Sequence, residues 1–316
     1  NPTKMINQGD ICSKIAYKWA EKTFKFRASK QGQPQRDAGA SYSQRIDYGS
    51  LQLAMASDGI GTKIELAERT GIYSSLGSDL VAMLTDDLVC NGITPSNLSN
   101  ILDVNLLDST IVNELMKGLH DAAKEAEIAV TGGEIAELGN RISGYGNNMH
   151  FNWCGTAIGL LAQGSSFLNG SAIQEGDIII SLASRGFRSN GYTLLRSIME
   201  ENYGKKWHEK LYGQNLTWGE ILLTPSVIYT ALITHLFQEN IEIHGIAHIT
   251  GGGIAGNLRR ILKTNAFGAH LSDLFSPLPV MSEIQKMGKI DLQTAYQLWN
   301  MGNGMLLVVK ESDYLE

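Results

Sequence analysis

The 316-residue chain predicts a mixed α/β protein of the α+β class, built as two domains. Three observations carry this prediction. Strand-like and helix-like hydrophobic periods interleave along the whole chain. The length exceeds what a single hydrophobic core ordinarily serves. A turn-rich stretch, "LNGSAIQEGD", separates two such mixtures, and a boundary near residue 165 gives domains at 1–165 and 166–316.

The elements follow in order. Residues 7–23 place Ile11, Ile15, Ala16 and Trp19 at helical spacing. "FRASKQGQPQRDAGASYS" mixes basic residues with Gly and Ser and reads as a long loop. "GSLQLAMAS" alternates Leu51, Leu53 and Met55, a strand running into "ASDGIGTKIEL". "SLGSDLVAMLTDDLVCNG" is the clearest helix, with Leu80, Val81, Leu84 and Leu88 on one side. On that wheel Asp79 and Asp86 lie opposite the stripe and read as a solvated face. Asp87 sits on the flank, where a side chain points along an interface. "SNILDVNLL" reads as a strand, and "STIVNELMKGLHDAAKEA" as an amphipathic helix that Ser109 is expected to cap. "EIAVTGGEIAEL" reads as a strand entering a Gly-Gly turn, and "FNWCGTAIGLLA" as a further strand.

The second half predicts the strand "DIIISLAS", the loop "RGFRSN" and the helix "GYTLLRSIMEEN". A helix over 225–238, a strand "IEIHGIAHIT", a helix "NLRRILKTN" and a strand "AFGAHLSD" follow. No internal repeat is visible.

Composition narrows the function classes. Hydrophobic residues make up 43% and charged residues 18%, so each half has the material for a core. The net charge of −6 argues against a general nucleic-acid binder, which needs a basic surface to displace counterions. It leaves room for a small anionic substrate. Cys12, Cys90 and Cys154 form neither a CxxC nor a zinc pattern, which fits a reducing compartment. The first residues lack the apolar region of a secretory signal, and runs such as "DIIISLA" are too short to span a bilayer. A cytoplasmic protein with no membrane partner is expected.

Two glycine-bearing stretches carry the candidate chemistry. In "ASDGIGTKIEL", Lys63 follows Thr62 and only Gly59 and Gly61 precede it, so the Walker pattern fails. Two readings remain: a metal–nucleotide site, with Asp58 on Mg²⁺ and Lys63 against phosphate, or a plain strand-to-helix turn. Asp58, Asp87 and Glu134 stand at comparable places after strands or on a helix flank. Such carboxylates suit Mg²⁺ beside ATP phosphates if the fold brings them together. In "TGGGIAGN", Gly251, Gly253 and Gly256 match G-x-G-x-x-G between a strand and a helix, with Asp273 beyond. The stretch is a dinucleotide fingerprint or, more generally, an anion site at a helix start. His244 and His248 lack a third metal ligand nearby. His248, directly before the glycines, reads as an acid/base or phosphate-side group, or as a hydrogen-bonded strand histidine. Ser189 and Asn190 cap a helix or touch a ligand.

Taken in order, "SDGIGTKIELA", "GSDLVAMLTDDLVCNGITP", "TGGEIAEL", "RSNGYTLLR", "LTPSVIY", "IAHITGGGIAGNLRRIL" and "WNMGNGM" resemble the phosphoribosylformylglycinamidine cyclo-ligase family, also called aminoimidazole ribonucleotide synthetase. Seven collinear blocks cover roughly residues 50–308. The resemblance implies two domains, an N-terminal one for ATP and dimerisation and a C-terminal one on the substrate side. It also implies N-terminal strands that form a barrel at a homodimer interface. The implied activity is ATP-dependent cyclisation of formylglycinamidine ribonucleotide in purine biosynthesis, with Mg²⁺. ATP would be held by Asp58, Gly59, Gly61, Thr62, Lys63, Asp79, Gly132, Gly133 and Glu134. Asp58, Asp87 and Glu134 would take the metal. Arg188, Ser189, Asn190, Thr250, Gly251, Gly252, Gly253 and Asn257 would hold the substrate, and His248, Asp87 and Lys63 are the implied catalytic candidates. A relative that spends ATP on another small substrate, or a non-catalytic ligand-binding member, is the alternative.

The chain departs from the family pattern in places. "RDAGASYSQRIDYG" lacks the usual paired glycines, and Arg188 replaces a common His. Gly256 replaces Glu, Arg259 replaces Pro, and Asn303 stands where an apolar residue is usual. The family continues some tens of residues past the "MGNGM" strand, so the second domain is expected to be cut short.

Overall fold

A computed structural model describes residues 2–35, 42–239 and 241–314, with the backbone alone for 2–10. Helix α1 (Pro2–Thr23) precedes strands β1 (Gln33–Pro34), β2 (Gln44–Asp47) and β3 (Gln52–Gly59). Part of the stretch without paired glycines, residues 36–41, lies outside the described residues. After a short 3₁₀ turn come α2 (Ile64–Thr70), α3 (Leu76–Cys90), β4 (Ile93–Val104), α4 (Ser109–Glu125), β5 (Ala129–Glu137) and β6 (Phe151–Leu161). The second half runs β7 (Ile178–Ala183), α5 (Tyr192–Tyr203), β8 (Leu211–Tyr212), β9 (Leu216–Thr217), α6 (Trp218–Leu222) and α7 (Thr230–Gln238). It continues with β10 (Ile243–His248), α8 (Gly253–Leu262), α9 (Pro279–Met287), α10 (Leu292–Leu298), β11 (Asn303–Val309) and α11 (Glu311–Tyr314).

The first half forms a six-stranded sheet in the order β1-β2-β3-β6-β4-β5, antiparallel except for the parallel β4–β5 pair. Ala54, Ala56, Leu98, Leu102, Trp153 and Ala157 alternate onto one face and are buried under α3 and α4. The opposite face leaves Met55, Ile101 and Leu160 exposed. The sheet is open, with β1 and β5 at its edges, so the expected barrel does not close within this chain. The second half forms a three-stranded antiparallel sheet, β10-β11-β7. Four of its central residues, Ala247, Met305, Leu306 and Val308, are almost fully buried.

Local chemistry corrects several expectations. The cap of α4 is Asp108, whose carboxylate accepts from the Thr110 and Ile111 N–H groups, one residue before the expected Ser109. Gly132 and Gly133 do not turn the chain; they lie inside β5, beside a register shift against β4. The stretch 225–229 is not helical, and α7 starts at Thr230. "AFGAHLSD" runs without regular structure rather than as a strand.

Two features position the site. A Cβ on Gly77 would overlap the backbone of Gly118, and one on Gly118 would overlap Ser74, so α3 and α4 cross in backbone contact. That pulls α3 deep between the two halves of the chain, where 13 of its residues are buried. Separately, Glu68 on α2 accepts from the Tyr145 N–H (2.7 Å) and faces His150 Nδ1 (3.2 Å), pinning the segment that leads into β6. Burial pushes the Glu68 carboxyl up, against the lowering effect of those donors.

Candidate functional site

Helix α3 is the axis of the site. Asp79 and Asp86, read from the wheel as a solvated face, are both fully buried. The reason is a segment the wheel does not contain: residues 224–230 cross over that face. Asp79 accepts from Ser226 N–H (3.1 Å) and Ser226 Oγ–H (2.5 Å). Asp86 accepts from Tyr229 N–H (2.9 Å) and Thr230 Oγ1–H (3.0 Å). Each acid also has a buried cation. Lys63 Nζ lies 2.7 Å from Asp79 Oδ2, and Arg188 Nη2 lies 2.9 Å from Asp86 Oδ2. Burial raises both carboxyls and lowers the Lys63 ammonium, and the opposite charges offset part of that.

Lys63 therefore stands elsewhere than the phosphate-facing position expected of it. It is fully buried, donates a further bond to the Thr224 carbonyl (2.7 Å), and lies over the Tyr192 ring. The turn before it keeps the expected shape. Gly61 takes a φ of 70°, a short 3₁₀ turn holds Gly61–Lys63, and α2 follows. Gly59 N–H donates to Asp58 Oδ1 (2.7 Å), and Thr62 is exposed, its hydroxyl 3.2 Å from that of Thr193 on α5.

Asp58 and Asp87 are near enough for the charge of Asp87 to act on Asp58. Asp58, the last residue but one of β3, lies on the α3 side of the sheet, in register with Gly155. Its carboxyl is raised to about 6, by burial and, against the Gly59 bond, by the charge of Asp87. Asp87 is raised to about 7 by burial, partly offset by Arg260 and Arg188. Two carboxyls held reluctantly ionised would each be relieved by a divalent cation. Glu134 is not brought to them. It shares a register row with Ile101, Cys154 and Gly59, on the face away from α3 and about 14 Å along the sheet at ~4.8 Å per strand. Among the described residues no group of three or more His, Cys, Asp or Glu is arranged to hold a metal.

His248 ends β10 against α3 and is fully buried. Its Nδ1 lies 2.7 Å from Asp87 Oδ1 and its Nε2 lies 2.7 Å from Arg188 Nη2. Burial and the nearby Arg188 charge push the imidazole down to about 3, so the ring is neutral. With both nitrogens engaged, neither is open to a ligand in this arrangement.

The chain then turns through Thr250, Gly251 and Gly252 (φ 94°) into α8. Asn257 closes that turn by donating to the carbonyls of Gly253 (2.8 Å), Gly251 and Thr250. No side chain caps α8, and within the turn the Gly253 N–H donates to the Thr250 carbonyl (3.1 Å). A Cβ on Gly251 would sit 3.6 Å from Asn190 Oδ1, which places the loop before α5 beside this one. Ser189 Oγ and Asn190 Nδ2 have no protein partner there. Arg188 points the other way, into the α3 contact. Because β10, β11 and β7 are antiparallel, the G-x-G-x-x-G match does not belong to a dinucleotide-binding parallel sheet.

Sequence reasoning missed Asp86, Arg260 and Tyr229 as members of this environment. The signal available was the pair of acids in "LTDDLV", within a helix otherwise rich in apolar residues.

The AIR synthase related protein N-terminal domain model matches residues 37–161, and the corresponding C-terminal domain model matches 174–316. A phosphoribosylformylglycinamidine cyclo-ligase from Pyrococcus furiosus is 37% identical over 294 residues, 93% of this chain and 82% of the relative. A solved thiamine-monophosphate kinase from Stenotrophomonas maltophilia K279a shares the fold at a TM-score of 0.59 and 16% identity, over 93% of this chain and 86% of that one. A hydrogenase maturation protein HypE solved in complex with ATP does so at 0.52 and 17%, over 83% and 69%.

Proposed function

The chain belongs to the AIR synthase related family, and from that premise we propose that it closes the imidazole ring of purine biosynthesis at the expense of ATP. The substrate is formylglycinamidine ribonucleotide and the product aminoimidazole ribonucleotide. The γ-phosphoryl group passes to the formyl oxygen and ADP leaves. A substrate nitrogen then attacks the activated carbon, the C–O bond breaks with release of phosphate, and the ring nitrogen loses its proton.

The observation that carries this reading is the Asp58–Asp87 pair beside the glycine turn, in a chain matched by cyclo-ligases over most of its length. Asp58 and Asp87 would hold Mg²⁺, which when bound offsets the charge of the phosphates. Ser189, Asn190 and the N–H groups of Gly251 and Gly252 would take the anionic ribonucleotide. The exposed apolar residues Met55, Ile101 and Leu160 on the open sheet face support a homodimer that covers them and extends the sheet across the interface. No helix among the described residues is long and apolar enough to cross a membrane.

The test is ADP release from Mg·ATP with and without formylglycinamidine ribonucleotide, with the product identified by mass. Substrate-dependent ADP with an aminoimidazole product supports the reading. Tight Mg·ATP binding without stimulation points to another small substrate, and no nucleotide binding leaves the Gly59–Lys63 stretch as a structural turn.

A further inference from the structure

Among the described residues Arg188 is the largest charged side chain sealed inside the molecule, and the loop that carries it bends unfavourably to put it there. It is 1% exposed, and its backbone holds a φ of 59°, a left-handed conformation that costs a non-glycine residue on the order of 1–2 kcal/mol. The guanidinium then divides its donors. Nη1 bonds the Val227 carbonyl (2.9 Å), while the two hydrogens of Nη2 reach Asp86 Oδ2 (2.9 Å) and His248 Nε2 (2.7 Å).

A guanidinium only donates, so the 2.7 Å contact requires a bare lone pair on Nε2. The imidazole proton is therefore on Nδ1, where it is donated to Asp87 Oδ1. One continuous chain of donors runs Arg188 to His248 to Asp87, anchored at its far end by Asp86. Each member comes from a different element: the loop before α5, β10 and α3. Only the Asp87 end reaches solvent, with its side chain 20% exposed.

We propose that Arg188 is a positioning residue of the nucleotide site, fixing the Asp87 carboxylate through the ring of His248. This rests on the reading of Asp87 as the carboxylate that meets Mg·ATP. It gives His248 the role of an orienting donor rather than that of the reacting acid or base.

The experiment compares the parent with Asp86→Asn and with the double variant Asp86→Asn/Arg188→Met, which leaves no uncompensated charge in the buried site. Side-chain ¹⁵N resonances of histidine report the hydrogen bonds at His248, and titration calorimetry reports Mg·ATP affinity. The parent and Asp86→Asn are expected to show His248 protonated on Nδ1 with a hydrogen-bonded Nε2. In the double variant the Nε2 resonance should move toward its free position, and Mg·ATP should bind at least about tenfold more weakly, the usual loss when an outer-shell partner is removed. In a His248→Leu background the double substitution should cause no further weakening, since the effect passes through the ring. A parent His248 carrying its proton on Nε2, an unmoved Nε2 resonance, or unchanged affinity in the double variant would overturn the proposal. None of these measurements uses the ribonucleotide substrate, so failure to form an aminoimidazole product would count against the proposed reaction alone.

Discussion

Lys63 Nζ lies 2.8 Å from one carboxylate oxygen of Asp79 and 2.7 Å from the other, with both side chains fully shielded from solvent. The pair joins the turn after β3 to α3, and through the Thr224 carbonyl and Ser226 it holds the segment that crosses from the second half of the chain. Removing one partner leaves a buried charge uncompensated. Lys63→Met is therefore expected to cost about 3–5 kcal/mol in urea unfolding, and Lys63→Met/Asp79→Asn distinctly less than the two single losses added. A Lys63→Met protein with the parental unfolding midpoint would show that the ammonium is not held in this pair.

Asp87→Asn keeps the acceptor for His248 Nδ1–H and removes a carboxylate that burial raises to about 7. The variant is expected to melt no lower than the parent, because the charge it deletes is penalised in the folded state. Mg·ATP affinity should fall by at least about tenfold, as measured by calorimetry. Parental affinity would remove Asp87 from the metal site.

The crossing of α3 and α4 makes a contrast among glycines. Gly77→Ala or Gly118→Ala forces a methyl group into the backbone of the neighbouring helix and should destabilise by about 1–3 kcal/mol or more. Gly256 lies inside α8 with open space where a Cβ would stand, and Gly256→Ala should stabilise by roughly 0.5–1 kcal/mol. Equal midpoints for the three variants in urea would contradict the close crossing.

Glu68 gives the fold a pH dependence of definite sign. Burial raises its carboxyl above the unfolded value, so the folded state holds the proton more tightly. Its contribution is complete below the unfolded value and is lost as pH rises through the raised folded value. The melting temperature of the parent relative to Glu68→Gln should therefore fall as pH rises from the ordinary carboxylate range toward neutrality. A difference that stayed constant, or grew with pH, would mean that burial does not hold the Glu68 carboxyl above its unfolded range.

The sequence by itself determined the elements whose period is strong and local. Leu80, Val81, Leu84 and Leu88 define α3, the alternation around Leu53 and Met55 defines β3, and the glycines at 59 and 61 define the turn between β3 and α2. These follow from interactions within a few residues, which periodicity records. It could not tell that Asp79 and Asp86 are buried, because a helical wheel shows which residues share a face and not what covers that face. The covering segment, 224–230, is far away in the chain. For the same reason Gly132–Gly133 looked like a turn until β4 gave it a partner. The burial of Asp79 and Asp86, the place of Glu134 on the other face of the sheet and the direction of the Arg188–His248–Asp87 chain were visible only in the tertiary structure. Each depends on where separate elements meet, and hydrogen-bond direction and charge burial are properties of that meeting rather than of any one stretch.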